Sequence, residues 1–316
     1  MIYQDNLVQN ILLNPFNEGA DCLKVVSGYA RPSMVSWHID KIETHFDRPI
    51  NIQLIIGMCV SEGLEISAHE GFKSLVSNEF EKKSKFTCQY VYQGNPVHSK
   101  LYLWEKNGVP FKAFMGSANY TQTAFSKARR EILCECDKNI AKQYYDSIEQ
   151  NTICCNHAEI EEYIKLIQTL KVNYSDTHIS MQDTDFSNIS LSLLSRNGEV
   201  GEKSGLNWGQ RPGREPNQAY IHVPAEIVRS EFFPTEKQHF SVLTDDKKQL
   251  ILRLEQANNK AITTPLNNSL LGEYFRNRIG VANGAPVFKQ DLEQYGRTNV
   301  IFYKLDEEQY FMDFHV

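Results

Sequence analysis

The hydrophobic pattern of this chain changes period near residue 188, and that change divides it into two domains of different class. Before it, short apolar runs alternate with segments of helical period. LKVVSGYA (23–30), NIQLIIGMC (51–59), FTCQYVYQ (86–93), SKLYLWE (99–105), FKAFMGSA (111–118) and REILCECD (130–137) have the length and the β-branched and aromatic content of strands. Residues 33–47, 69–83, 138–150 and 156–170 read as amphipathic helices. The alternation predicts an α/β domain with a central mixed sheet flanked by helices. Beyond the change, β-type runs dominate: ISLSLLS (189–195), QAYIHVP (218–224), HFSVLTD (239–245), QLILRLEQ (249–256) and VIFYKLD (300–306). Only 225–232 and 269–279 suggest helices there, and 301–316 reads as a closing hairpin. This half is expected to be a β-rich pseudobarrel. The intervening KVNYSDTHISMQDTDFSN (171–188) is polar and aperiodic. The expected organisation is a first domain at 1–172, a linker at 173–187 and a second domain at 188–316.

Composition excludes some classes of function. A chain of 316 residues, 41% hydrophobic and 11% aromatic, has enough apolar content for two cores. No apolar run reaches the roughly 18 residues of a membrane helix. The N-terminus lacks a basic start followed by a long apolar core, so no secretory signal is expected and the compartment is read as cytoplasmic. Seven cysteines, none in a Cys-x-x-Cys pair, are expected to be reduced, buried thiols, with Cys134 and Cys136 on one side of a strand. No metal site is expected from their spacing. The formal net charge of -6 argues against indiscriminate binding to nucleic acid, yet leaves room for a local basic loop. His38 and His45, seven apart beside Trp37 on a predicted helix, fit packing better than ligation.

The chemistry concentrates in VHSKLYLWEKNGVPFKAFMGSAN (97–119). His98 and Lys100 are two apart and leave one face of a strand, as do Ser117 and Asn119. If the run 111–116 is the sheet neighbour, a nucleophilic imidazole, an ammonium and two small hydrogen-bonding groups meet at one edge. Such a set suits a phosphodiester: the imidazole attacks phosphorus while Lys and Asn hold the non-bridging oxygens. Gly116 would let the backbone approach closely. HSK followed by GSAN resembles the His-x-Lys…Gly-Ser-x-Asn signature of the phospholipase D superfamily. The resemblance implies that His98 is the covalent nucleophile, that Lys100 and Asn119 bind phosphate, and that a Glu about a dozen residues beyond Asn119 orients the histidine; Ser117 is expected to join Lys100 and Asn119 in stabilising the phosphorane-like state. Glu131 and Glu135 both qualify, and spacing favours Glu131. Many superfamily members carry an Asp soon after the Lys; this chain offers only Glu105. Superfamily sites also need two His-x-Lys units, one to attack and one to protonate the leaving oxygen. Of nine histidines only His98 has Lys at plus two, so one chain carries half a site and a homodimer is implied. No cofactor and no metal are implied.

A second constellation lies in SRNGEVGEKSGLNWGQRPGREPNQAY (195–220), a long loop between two β runs. Arg196, Lys203, Arg211 and Arg214 can contact phosphates or guanine; Asn207, Gln210, Asn217 and Gln218 can pair with base edges; Trp208 can pack the loop or touch a sugar. EQANNKAITTPLNN (255–268) repeats the chemistry with Asn258, Asn259, Lys260, Thr263 and Thr264. Two such arms on one barrel would embrace a major groove of double-stranded DNA, about 12 Å wide. The order of elements from 189 to 316 resembles the pseudobarrel of plant B3-type DNA-binding factors. Joined behind a phospholipase D-like domain, it resembles the NgoFVII-type restriction endonucleases over nearly the whole chain. That resemblance implies a metal-independent restriction nuclease of a bacterial system, a cognate DNA methyltransferase, and in some relatives an ATP-dependent helicase-like subunit. The motif alone also admits a lipid-acting phospholipase or transferase, or a DNA-binding protein that does not cut.

Overall fold

The computed structural model describes all residues except 78–82, 127–128, 169–171, 176–177 and 182–185. The chain divides into two compact units, Met1–Thr169 and Leu170–Val316.

The first unit is built on eight strands: β1 (Ile2–Tyr3), β2 (Cys22–Ser27), β3 (Asn51–Ile56), β4 (Lys85–Val91), β5 (Leu101–Lys106), β6 (Val109–Gly116), β7 (Leu133–Cys136) and β8 (Thr152–Cys154). Their order is β1-β7-β6-β5-β2-β3-β4-β8. β2, β3 and β4 are parallel, and the other neighbours are antiparallel. Parallel neighbours need crossover connections, which α1 (Pro32–Phe46) and α2 (Ile66–Val76) provide. α1 starts on a proline, where the missing N–H costs nothing, and ends where Asp47 turns left-handed at φ 46°. α3 (Lys138–Glu149) is capped by the Asp137 carboxylate, which accepts from Asn139 and Ile140 N–H at 2.9 Å each. Its Ala141, Tyr145 and Ile148 follow helical spacing and bury themselves on Val26, Leu101, Leu103 and Ala113 of the sheet.

Local patterning misplaced some ends of elements. Among the described residues the helix expected at 156–170 forms only as a turn, Ile160–Tyr163, and residues 169–170 of it lie outside them. Beyond it Leu166–Ile167 pairs in parallel with Leu64–Glu65, because a short apolar pair satisfied by a neighbouring strand needs no helix. Of the helix expected at 69–83, residues 78–82 lie outside the described residues. The cysteines are free thiols; Cys134 and Cys136 are half-buried, and Cys154 is exposed where burial was expected. His38 is fully buried between the Tyr120 hydroxyl (2.8 Å) and the Leu12 carbonyl (3.3 Å). Burial pushes its pKa down to about 4, so it packs as a neutral ring.

The second unit is a seven-stranded sheet: β9 (Asn188–Ser192), β10 (Ile221–His222), β11 (His239–Thr244), β12 (Gln249–Glu255), β13 (Ala261–Thr263), β14 (Asn299–Lys304) and β15 (Gln309–Asp313). Its order is β9-β14-β15-β11-β12-β13-β10, and the two end strands lie against each other, so the sheet nearly closes into a barrel. β14 and β15 form the expected closing hairpin, while β11 and β15 pair in parallel. Alternate residues such as Phe240, Val242, Leu252, Leu254, Phe302, Tyr310 and Met312 fill the interior. α4 (Leu270–Ile279) lies close to its expected place, and α5 (Lys289–Tyr295) was not foreseen. Part of the expected linker is ordered. Val172–Tyr174 and Ile179–Met181 form an antiparallel ladder, and Val172 and Ile179 bury themselves with Leu243, Leu305 and Phe311. Residues 176–177 and 182–185 of that linker lie outside the described residues.

Candidate active site and nucleic-acid interface

The C-terminal ends of the parallel strands gather the site, as is general for ligand sites of α/β sheets. The segment after β4 leads to His98, which is exposed, and Lys100 stands at the entry to β5. β5 and β6 pair antiparallel with Leu101 opposite Met115, and the Gly116 N–H donates to the Lys100 carbonyl at 3.2 Å. That register delivers Ser117 and Asn119 beside Lys100. Gly116 is needed for close approach to its own chain: a Cβ there would meet the Ile132 carbonyl at 2.0 Å.

The Lys100 ammonium donates to the His98 carbonyl at 2.7 Å and stands 3.1 Å from each imidazole nitrogen. Lys100 is only 7% exposed. Burial holds its pKa below the ordinary lysine value, and the Glu131 carboxylate works the other way. Asn119 is held by the loop after β2. Its Oδ1 accepts from the Tyr29 N–H (3.3 Å) and from Ser27 Oγ (3.2 Å). A backbone N–H can only meet the amide oxygen, so the Asn119 NH2 is the end left to donate to a ligand. Ser27, fully buried, also accepts from Tyr120 N–H at 3.0 Å and so ties the GSAN turn to β2.

Ser117 is exposed and donates to Glu131 Oε2, while its Oγ accepts from Ile132 N–H at 3.0 Å. Among the described residues no hydrogen bond joins Glu131 to His98 within the chain. The orienting contact expected from sequence is therefore not made in one chain; the serine hydroxyl occupies that carboxylate instead. Glu135 also makes no such contact with His98 and is exposed. What borders the imidazole is Tyr29, whose ring stands edge-on at 5.9 Å between centroids. Ser27, Gly28 and Tyr29 were not nominated from sequence. The available signal was the Ser-Gly-Tyr that ends a predicted strand of a parallel sheet. Among the described residues no group of three or more His, Cys, Asp or Glu side chains is placed to hold a metal ion.

In the barrel the nominated residues separate by burial. Asn207 is 2% exposed and spends its amide on Val287, donating to its carbonyl at 2.7 Å and accepting its N–H at 2.8 Å. Asn217 is buried as well and accepts Gly284 N–H at 2.6 Å; Gln210 donates to the Pro216 and Gly284 carbonyls at 3.1 Å each. Thr263 and Thr264 are buried. Asn207 and Asn217, buried and bonded, support the arms rather than face solvent, and Thr263 and Thr264 are buried as well, while Gln210 is half-buried with its NH2 spent on the two carbonyls. Arg214 lies over the Trp208 ring at 4.0 Å and donates to Gln218 Oε1, and Arg211 donates to the Lys203 carbonyl at 2.8 Å. Arg214, Arg211 and Lys203 remain exposed. Arg196 and Lys260 line a cavity of about 780 Å³, together with Ser192, Ser204, Tyr220, His222 and Glu226, none of which was nominated. Asn258 and Asn259 carry the second arm through a left-handed turn at φ 62° and 56°. One further residue was missed: Arg276, fully buried, donates to the carbonyls of Ala285, Gly272, Leu206 and Pro216 and clasps the first arm to α4.

Two family models match the chain in order. The NgoFVII restriction endonuclease N-terminal PLD domain matches residues 5–162, half of the chain, and the NgoFVII C-terminal B3-like DNA-binding domain matches 181–306. Among solved structures, the chain is similar to NucT from Helicobacter pylori, with 15% identity over 49% of this chain and 97% of that one and a TM-score of 0.33. It is also similar to Nuc, a phospholipase D family member from Salmonella typhimurium, with 9% identity over 49% and 95% of the two chains and a TM-score of 0.34. No curated protein matches the chain significantly. Fold and site define the class: a nuclease with a phospholipase D-like domain, followed by a B3-like domain that binds DNA. The chain belongs to the NgoFVII restriction endonuclease family. No helix among the described residues is long and apolar enough to cross a membrane.

Proposed function

We propose that the chain is a sequence-specific, type II-like restriction endonuclease that cuts double-stranded DNA without a metal ion, through a phosphohistidine, at a site shared by two copies. The observation that carries the reading is the cradle itself. His98 and the buried Lys100 stand 3.1 Å apart at one strand end, beside an Asn119 whose amide oxygen is already committed. In the first step a ring nitrogen of His98 attacks phosphorus. The bond to the leaving oxygen breaks, and the His98 of the second copy gives that oxygen its proton. In the second step water attacks the phosphohistidine and gives up its proton to the same partner histidine, and the phosphorus–nitrogen bond breaks. Lys100 and the Asn119 NH2 meet the charge that builds on the non-bridging oxygens, work a metal ion does elsewhere. Ser117 braces Glu131 at the rim, and Glu131 serves as the orienting carboxylate once the second copy completes the site.

Two features support a shared site. Each chain has one His-x-Lys unit. An apolar strip also borders it: Ile2, Cys134 and Met115 face each other in register across β1, β7 and β6, and Ile2, Met115 and neighbouring Ile132 are exposed. Exposed apolar area beside an incomplete site suits a self-complementary contact. Specificity is assigned to the exposed arm residues Arg196, Lys203, Arg211, Arg214, Asn258 and Lys260, with a cognate methyltransferase protecting the same sequence and an ATP-dependent helicase-like subunit as a further partner of the system. The test is plasmid cleavage in EDTA by the intact protein and its His98→Ala variant. Cutting by the former and specific binding without cutting by the latter is the expected result. Cleavage that stops in EDTA, or that survives the substitution, contradicts the reading.

A further inference from the structure

Tyr29 follows β2 by two residues and touches both halves of the phosphate cradle. Its N–H donates to Asn119 Oδ1 at 3.3 Å. Its ring meets the His98 imidazole with centroids 5.9 Å apart and planes at 79°. Its hydroxyl donates to Glu62 Oε2 at 2.7 Å, which tethers the ring. Gly28, just before it, packs closely on that side: a Cβ there would come 3.1 Å from His98 Cδ2 and 3.5 Å from its Cα. The imidazole is thus bordered by the Gly28 main chain, the Tyr29 ring and the Lys100 ammonium.

An exposed imidazole is free to turn about two side-chain torsions. In-line attack on phosphorus needs one ring nitrogen held opposite the leaving oxygen, and misplacement by about 1 Å costs on the order of a hundredfold in rate. In a single chain no carboxylate bonds His98, among the described residues. An aromatic wall tethered at its far end supplies a restraint from within the chain itself, since edge-to-face ring contacts have a preferred geometry. We propose that Tyr29 is a positioning residue for cleavage: its ring sets the plane of the His98 imidazole, its backbone N–H aims the Asn119 amide, and Glu62 holds the ring in place. This rests on His98 as the nucleophile. A phenol at the mouth of the site could instead stack on a nucleotide, and the two roles differ in what they change. A stacking surface changes DNA affinity; a positioning wall changes the chemical step.

The experiment uses full-length protein and a cognate duplex, with the single-turnover cleavage rate at saturating protein and the DNA dissociation constant read separately. Tyr29→Ala is expected to slow cleavage on the order of a hundredfold with affinity unchanged. Tyr29→Phe keeps the wall and loses only the tether, so it should cut within a few-fold of the parent, roughly the effect of one surface hydrogen bond. Tyr29 is 40% exposed, so its loss leaves no core cavity, and thermal unfolding of each variant checks this. If the alanine variant fails to fold, Tyr29→Leu, which keeps bulk without a ring, is read the same way. Parental rate in the ringless variant, an equal loss in Tyr29→Phe, or a loss confined to affinity each overturns the proposal. His98→Ala is run in parallel. If that variant still cuts, the nucleophile assignment falls; if it is dead while the ringless variant cuts normally, only the role of Tyr29 falls.

Discussion

The cradle at the sheet edge and the arms of the barrel use the same polar residue types in opposite ways. At the sheet edge Asn119 gives its oxygen to the Tyr29 N–H and keeps its NH2 for a ligand. In the first arm Asn207 gives both ends of its amide to Val287, and Asn217 and Gln210 bond the Gly284 main chain. The difference comes from what supports each loop. The GSAN turn hangs from β6, whose ladder already satisfies the backbone, so its side chains are available. The arm over 195–220 has little ladder of its own, and its backbone groups must be met by side chains, including the buried Arg276 guanidinium. A polar side chain in a long loop serves the loop before it serves a ligand.

Four substitutions or conditions break or sharpen this contrast. His98→Ala should lower cleavage by about 10⁴-fold or more with specific DNA binding intact, measured by single-turnover rate and by gel shift. Asn119→Ala removes one donor from the developing charge and should cost about 10²–10³-fold in rate at unchanged affinity. Arg276→Met, by contrast, leaves several buried carbonyls unmet and should destabilise the barrel by about 2–4 kcal/mol, reducing binding through loss of arm order; denaturant unfolding of the full chain reads it. Lys260→Ala, at the cavity rim, should weaken binding by about tenfold or less and reduce the salt slope of log K by about one.

The pH dependence follows the same division. His38 has a folded pKa of about 4 against an ordinary 6.5. Protons then favour the unfolded chain between those values, so stability is complete above pH 6.5 and falls by up to about 3 kcal/mol as pH drops toward 4. His38→Gln should remove that slope. In the cradle, the lowered pKa of Lys100 predicts that cleavage fails on the alkaline side before an ordinary lysine would lose its proton.

The grouping of His98, Lys100, Ser117 and Asn119 was legible because their spacings of two stand at the ends of apolar runs that pair as neighbours, although all four lie just outside β5 and β6 rather than on a strand face. The supports of the site were not. Ser27 and Tyr29 reach Asn119 across about ninety residues of chain, through a parallel crossover that no local pattern encodes. Glu131 was read from the family resemblance and preferred to Glu135 by spacing, and neither can tell that Ser117 takes its oxygen. The barrel strands showed in period-two alternation, whereas α5 did not, because seven residues with one buried leucine barely exceed background. The arms misled most, since residue type reports bonding capacity and burial decides where it is spent.

In the proposed mechanism one active site needs the His98 of two chains. Mixing parent and His98→Ala protein under exchange, at constant total concentration, tests it directly. If both histidines are required, cleavage follows the square of the parental fraction and an equal mixture keeps about one quarter of the activity. A linear fall, with about one half remaining at equal mixing, would show that each chain works alone and would contradict the shared site.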